Sequence, residues 1–345
     1  MRQARITGID LSFAFVLPLI MYYGYHLEIG QNRDFFLRDQ FHLFYDGAVA
    51  MFLFLIGFAT GIAGATYQGI KQVQKYVALR GFFFIALGLI MSLIWPTNLF
   101  VLLGIGSILL AVLLPLHTTF LYFLAAMIAI AAAVFNLFTE YPTNLVPWQE
   151  LPVGTIKHYV RDGYYGVMPW LFFMIVGTIY SRTDFLRASR RNFKIVLGFV
   201  LVLVAFAFEF VFERMLSTGA ISDYNPFTKI TALHLLIPSF LIGGTGLCVM
   251  IFNIALQVSD RFLENPLFIT LRRFGRMKYS VLVFQAIGGI CAGLLLSGLE
   301  TFGAQTVIIL GILISVGSIL FAALWLKRFD AGPVELLLNA LSGRK

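Results

Sequence analysis

IDLSFAFVLPLIMYYGYH (Ile9–His26) and FHLFYDGAVAMFLFLIGFATGIAG (Phe41–Gly64) are two long apolar runs, separated by a short polar loop, Glu28 to Phe41. Each reaches the roughly 18 residues that mark a helix long enough to cross a bilayer. A run in lipid finds no water for its amides and carbonyls, so they must bond within the segment and the segment must be helical. The alternating, roughly ten-residue pattern of an outer-membrane barrel is absent. The stretch therefore reads as two membrane helices. His26, His42 and Asp46 gather at one rim of the apolar slab, where a charge or an imidazole is costly unless it is paired or used.

The rest of the chain extends this pattern. Of its 345 residues, 59% are hydrophobic and 12% charged, where a soluble domain carries about 25% charged residues. Mean hydropathy is +0.87. The composition predicts an all-α, polytopic membrane helix bundle in the cell inner (plasma) membrane, with the lipid bilayer as its main partner. The two cysteines, Cys248 and Cys291, sit inside apolar runs. They indicate neither a disulfide framework nor a zinc site and read as packing residues. MRQARITGID leads straight into the first run with no small-residue cleavage site after it, the pattern of an uncleaved first helix. The net charge of +8 calls for no nucleic acid and reports loop topology instead. No separate soluble domain, low-complexity segment or repeat stands out, so residues 1–345 read as a single transmembrane domain.

Ten spans are expected, near 9–26, 45–66, 79–95, 98–115, 118–138, 164–181, 195–212, 230–256, 277–297 and 305–326. Most of the 25 Lys and Arg fall on alternate connections. Arg2 and Arg5 precede the first span, and Lys71, Lys75 and Arg80 follow the second. Arg182, Arg187, Arg190, Arg191 and Lys194 follow the sixth. Arg261, Arg272, Arg273, Arg276 and Lys278 follow the eighth, and Lys327, Arg328, Arg344 and Lys345 close the chain. This alternation predicts that both termini are cytoplasmic. It puts His26, His42 and Asp46 on the outer side. The longest outer loop, Glu140 to Gly163, is rich in proline and polar residues and would cap the outer mouth. GATYQGIKQVQKY (Gly64–Tyr76) is expected as a short helix on the inner surface.

His26 reads either as an interfacial histidine or as a general base that removes a proton from a hydroxyl or amine acceptor. His42 and Asp46 are spaced i, i+4, so they share a helix face if the second helix starts early enough. The carboxylate would then orient the imidazole and raise its pKa, or else simply favour the helix N-terminus. Asp10 with Arg5 reads as an inner-rim ion pair. Glu209 and His234 could face the same outer cavity as His26, and Asn253 and Gln285 read as interhelical hydrogen bonds. Nothing is spaced as a metal site. LRRFGRMKYS (Leu271–Ser280) packs four basic residues within seven positions. These serve topology and anionic lipid, or Arg272, Arg273 and Arg276 form a phosphate grip, for which the planar guanidinium is suited. A pantetheine-linked nucleotide such as acyl-CoA fits such a grip.

Several segments resemble the transmembrane acyltransferase superfamily, including the acyltransferase-3 proteins, the heparan-α-glucosaminide N-acetyltransferase-like proteins and related bacterial membrane families. The likeness lies in RITGIDLSFAF, YDGAVAMFLFLIGFATGI, VALRGFFFIALGLIMSLI with VLLGIGSILLAVLL, DGYYGVMPWLFFMIVGTIYSR, LRRFGRMKYSVLVFQ and RFDAGPVELLL, in that order along the chain. The family opening reads Asp-x-x-Arg-Gly, whereas Asp10 is followed by Leu11, Ser12, Phe13 and Ala14. An acyltransferase-3 histidine would fall at Gly24, and His26 lies two residues on. His42 resembles the loop histidine of the heparan-acetyltransferase branch. The resemblance implies transfer of an acyl group from cytoplasmic acyl-CoA to an extracytoplasmic glycan or a lipid-linked envelope acceptor. His26 or His42 would act as base or acyl carrier, oriented by Asp46. Two other readings stand beside it: a multi-pass transporter or flippase without covalent chemistry, and a diverged, inactive relative serving as a membrane complex subunit.

Overall fold

The computed structural model of the protein describes residues 6–29, 38–66, 69–94, 98–137, 166–217, 237–296 and 304–343. Twelve α-helices occupy them: α1 (Thr7–Ile29), α2 (Arg38–Thr66), α3 (Ile70–Met91), α4 (Phe100–Leu113), α5 (Thr118–Leu137), α6 (Val167–Ser181), α7 (Arg191–Ser217), α8 (Ile237–Arg261), α9 (Pro266–Arg276), α10 (Lys278–Leu296), α11 (Ala304–Trp325) and α12 (Pro333–Ser342). There is no strand among the described residues. Each expected apolar run falls on a helix, and α9 and α12 lie outside the expected spans. Among the described residues, six stretches are long and apolar enough to cross a membrane: Gly47–Ala65, Ile70–Met91, Ala188–Val211, Pro238–Arg261, Lys278–Leu295 and Ile308–Trp325. Among the same residues, the apolar stretches Thr7–Ile20, Phe100–Leu113, Thr118–Ala133 and Val167–Ser181 run to 10–17 residues each.

The faces these helices turn outward identify the surrounding medium. On α7, Phe193, Phe199, Leu203, Phe206 and Phe210 are exposed, and on α11 so are Ile309, Leu313, Val316, Leu320 and Leu324. An apolar face this continuous would drive association in water; in hydrocarbon it is the ordinary outer surface of a bundle. The chain is therefore read as a helical membrane protein.

Inside the bundle, small residues set the helix crossings. A Cβ on Gly57 of α2 would stand 1.9 Å from Met174 O of α6, and one on Gly177 of α6 would stand 2.0 Å from Phe54 O of α2. Gly81 and Gly104 face each other in the same way across α3 and α4, and Gly198 and Gly246 across α7 and α8. Lipid tails are as apolar as leucine, so membrane helices associate by close packing, and glycine lets two backbones touch. The centre, around α2 and α8, is aromatic. Phe58 meets Phe252 at 4.5 Å and Phe185 at 4.8 Å between ring centroids.

At one end of the bundle the connections lie within the described residues, apart from residues 67–68 between α2 and α3. Arg182, after α6, donates to Leu114 O and Leu116 O of the α4–α5 link at 2.9 and 2.6 Å. Arg191 at the start of α7 pairs with Asp260 near the end of α8 at 2.5 Å. Thr7 of α1 bonds Ser259 of α8 at 2.7 Å. This end carries the basic residues from Arg182 to Lys194, from Arg261 to Lys278, and Lys327 with Arg328. Most of the connections at the opposite end, including Glu140 to Gly163, lie outside the described residues.

Two expectations are corrected here. Gly64–Tyr76 does not form a separate surface helix, because α3 runs unbroken from Ile70. Arg80 is not a loop charge. It lies on the buried face of α3 with Val73, Val77, Phe84 and Met91, and only 3% of it is exposed.

Candidate functional site

Arg80 is the centre of a buried polar cluster. Its Nη1 donates to the hydroxyl of Tyr279 on α10 at 2.7 Å, its Nε to Ser107 Oγ on α4 at 3.1 Å, and its Nη2 to Thr60 Oγ1 on α2 at 3.4 Å. Thr60 and Ser107 each donate their single proton to a carbonyl one turn back, Ile56 O at 2.7 Å and Leu103 O at 2.6 Å. Their lone pairs are thereby left for the guanidinium, which can only donate. A charge at this depth among spanning helices marks a functional site by default.

Beside Arg80 the chain closes a joint from three distant segments. Gly275 lets α9 lie directly on α1, since a Cβ there would stand 1.7 Å from Asp10 O. The Arg276 guanidinium donates to Asp330 O in the turn before α12. Glu335 of α12 accepts from the backbone N–H of Tyr279 at 2.8 Å and from the Ser280 hydroxyl. Lys278 sits over the rings of Phe13 and Tyr279, at 4.8 and 5.1 Å from their centroids. The Asp10 opening, the Gly-Arg-Met segment and the Gly-Pro-Val-Glu tail, far apart in sequence, thus form one contact.

The basic cluster of α9 is partly held by its own backbone. Arg272 donates through Nε to Phe268 O at 3.2 Å and also bonds Leu263 O. Arg273 is exposed. A carbonyl orients a guanidinium without neutralising it, so such bonds fix the direction in which the charge is presented. After α6, burial pushes the Arg182 guanidinium down from its usual pKa.

The structure places His26 within α1, and His42 and Asp46 one turn apart within α2, which begins early enough to contain both. Their side chains lie outside the described residues, as do His234 and Arg5. Asp10 is buried in the first turn of α1 and Glu209 is half-buried on α7. Asn253 makes the interhelical bond expected of it, donating to the Tyr180 hydroxyl on α6 at 2.8 Å. No group of three or more His, Cys, Asp or Glu able to hold a metal ion occurs among the described residues.

Sequence reasoning missed Arg80 and Glu335. The signal for Arg80 was its register, in phase with Val73, Val77 and Phe84 on an apolar stripe. Glu335 carried no such signal beyond its Gly-Pro-Val-Glu context.

Residues 180–345 match the model of a family described as a protein of unknown function, DUF418. The match takes in Lys278, Tyr279 and Glu335, whereas Arg80, His26, His42 and Asp46 precede it. No curated protein matches the chain.

Proposed function

We propose that the chain, as one transmembrane helical domain of a bacterial inner membrane, moves an acyl group from cytoplasmic acyl-CoA to an extracytoplasmic glycan or other envelope acceptor. The observation that carries this reading is Arg80, a buried guanidinium among spanning helices whose described partners are three hydroxyls. A buried cation is costly unless paired or used, and an anionic donor would use it. The basic end of the bundle is the cytoplasmic side on the positive-inside rule. There the exposed Arg273, with Arg272 and Arg276 held in place by carbonyls, would receive the phosphates of the donor.

In this reading His26 or His42 takes the proton from the acceptor hydroxyl or amine, or carries the acyl group transiently, and Asp46 orients the imidazole. The acceptor oxygen or nitrogen attacks the thioester carbonyl. The C–S bond breaks as the C–O or C–N bond forms, and coenzyme A leaves as the thiol with the proton taken up by sulfur. The family resemblance of the ordered segments, from Asp10 to Glu335, supports the same assignment.

Titration of the purified protein with acetyl-CoA tests it. Saturable binding is expected, weakened about tenfold or more by Arg273→Gln. No saturable binding removes the reading. Binding that leaves the thioester intact in the presence of envelope glycan favours a transporter or flippase.

A further inference from the structure

The C-terminal helix α12 enters the bundle through one buried carboxylate. Glu335 is 7% exposed. Its Oε1 accepts from Tyr279 N and Ser280 N at 2.8 and 3.4 Å, and its Oε2 from the Ser280 hydroxyl. Ser280 Oγ in turn accepts from Val334 N at 2.9 Å. Tyr279 and Ser280 follow Lys278, the first residue of α10, and N–H groups in a first turn have no partner within their own helix. An anion there is also favoured by the helix dipole. The approach is tight: a Cβ on Gly332 would stand 2.3 Å from Ser280 Oγ and 2.4 Å from Glu335 Oε2.

Tyr279 is the link. Its backbone bonds Glu335 and its side chain bonds Arg80. We propose that Glu335 is a positioning residue for the Arg80–Tyr279 pair, and that α12 is a latch whose docking assembles this pair. With α12 docked, the first turn of α10 is held and the Tyr279 hydroxyl stands on the guanidinium. With α12 released, two N–H groups and one hydroxyl lose their acceptor, the turn frays, and the hydroxyl leaves Arg80. Leu338, fully buried, adds apolar contact to the docked helix, but apolar contact has no direction. The carboxylate supplies the register. The consequence for ligand rests on the acyl-CoA reading above; the latch does not.

Amide hydrogen exchange on the full-length protein in lipid nanodiscs tests the latch, comparing Glu335→Ala and the milder Glu335→Gln with wild type. The amides of Tyr279 and Ser280 should exchange at least tenfold faster in Glu335→Ala and by an intermediate factor in Glu335→Gln, with α2 and α8 protected as before. Unchanged exchange at both amides overturns the proposal. So does a loss of protection spread evenly over α2 and α8 in both variants, since the carboxylate would then serve folding at large. Acetyl-CoA binding by Glu335→Gln, Tyr279→Phe and the double variant tests the positioning as a cycle. Each single change weakens binding several-fold and the double change adds little; fully additive losses overturn it. If the wild type takes up no acetyl-CoA, the acyl-CoA reading falls and the exchange result alone decides the latch.

Discussion

Arg80 of α3 and Tyr279 of α10, 199 positions apart in sequence, share a 2.7 Å hydrogen bond in which the guanidinium donates to the phenol oxygen. The two ends of this bond differ in what they stand to lose. Without Tyr279, a buried charged donor is left short of an acceptor. Without Arg80, Thr60 and Ser107 each lose a donor but still donate to Ile56 O and Leu103 O, and the Tyr279 hydroxyl loses the guanidinium.

Tyr279→Phe is therefore expected to destabilise by about 1.5–3 kcal/mol, the worth of a hydrogen bond to a charged group. Arg80→Met, which removes the charge and keeps the length, should cost less, because replacing a buried ion by apolar atoms is often near neutral. Thermal unfolding midpoints in one detergent rank the two variants, and the opposite order sinks the argument.

Gly177→Ala places a Cβ 2.0 Å from Phe54 O, so α2 and α6 must separate. Overpacking of this kind costs about 1–3 kcal/mol, and more where a backbone cannot shift. Gly317→Ala on α11 is the control, with nothing within 4 Å of the added carbon. The control should be neutral, or gain up to about 1 kcal/mol in helix propensity. Equal effects at the two positions would count against the glycine crossing.

Arg182 holds the α4–α5 link by reaching Leu114 O, Leu116 O and Thr118 Oγ1 at once. One ammonium cannot reproduce the planar fork. Arg182→Lys should cost about 1 kcal/mol and raise the rate of protease cleavage between α4 and α5. An unchanged cleavage rate argues that the link is held by other contacts.

The Arg191–Asp260 pair has a largely solvent-exposed carboxylate, with 57% of the Asp260 side chain accessible. Asp260→Asn should change stability by less than about 1 kcal/mol, and less again in high salt. A larger loss would show that the pair works as a buried one.

His26→Ala and His42→Ala separate the two candidate bases. One of them should abolish acyl transfer while acetyl-CoA binding stays within about twofold, since a base acts in the transition state rather than in donor binding. Transfer that survives both changes removes histidine from the chemistry.

The helical class could be read from the sequence because the bilayer's demand is local. Each run from Ile9 onward must satisfy its own backbone, and hydropathy together with the alternation of Lys and Arg marks where runs begin and end. The i, i+4 spacing of His42 and Asp46 was likewise readable, and α2 contains both. By sequence Arg80 counts as a loop charge, because the loop-counting rule treats every basic residue between apolar runs alike. Its three acceptors come from α2, α4 and α10, at separations of 20, 27 and 199 positions, and no local pattern announces them. The Gly-Arg-Met and Gly-Pro-Val-Glu segments were visible as motifs without a reason. The reason is a contact, Gly275 on the Asp10 carbonyl and Glu335 on the first turn of α10.

By itself, then, the sequence determined that this is a membrane-embedded helical chain with one basic end, since burial in lipid and charge at its surface are properties of each segment alone. Only the tertiary structure decided that Arg80 is buried, that Tyr279 meets it, and that the C-terminal helix returns to hold Tyr279 in place. A buried charge is made tolerable by groups that other helices bring to it, and which helices those are depends on where glycine lets two backbones meet.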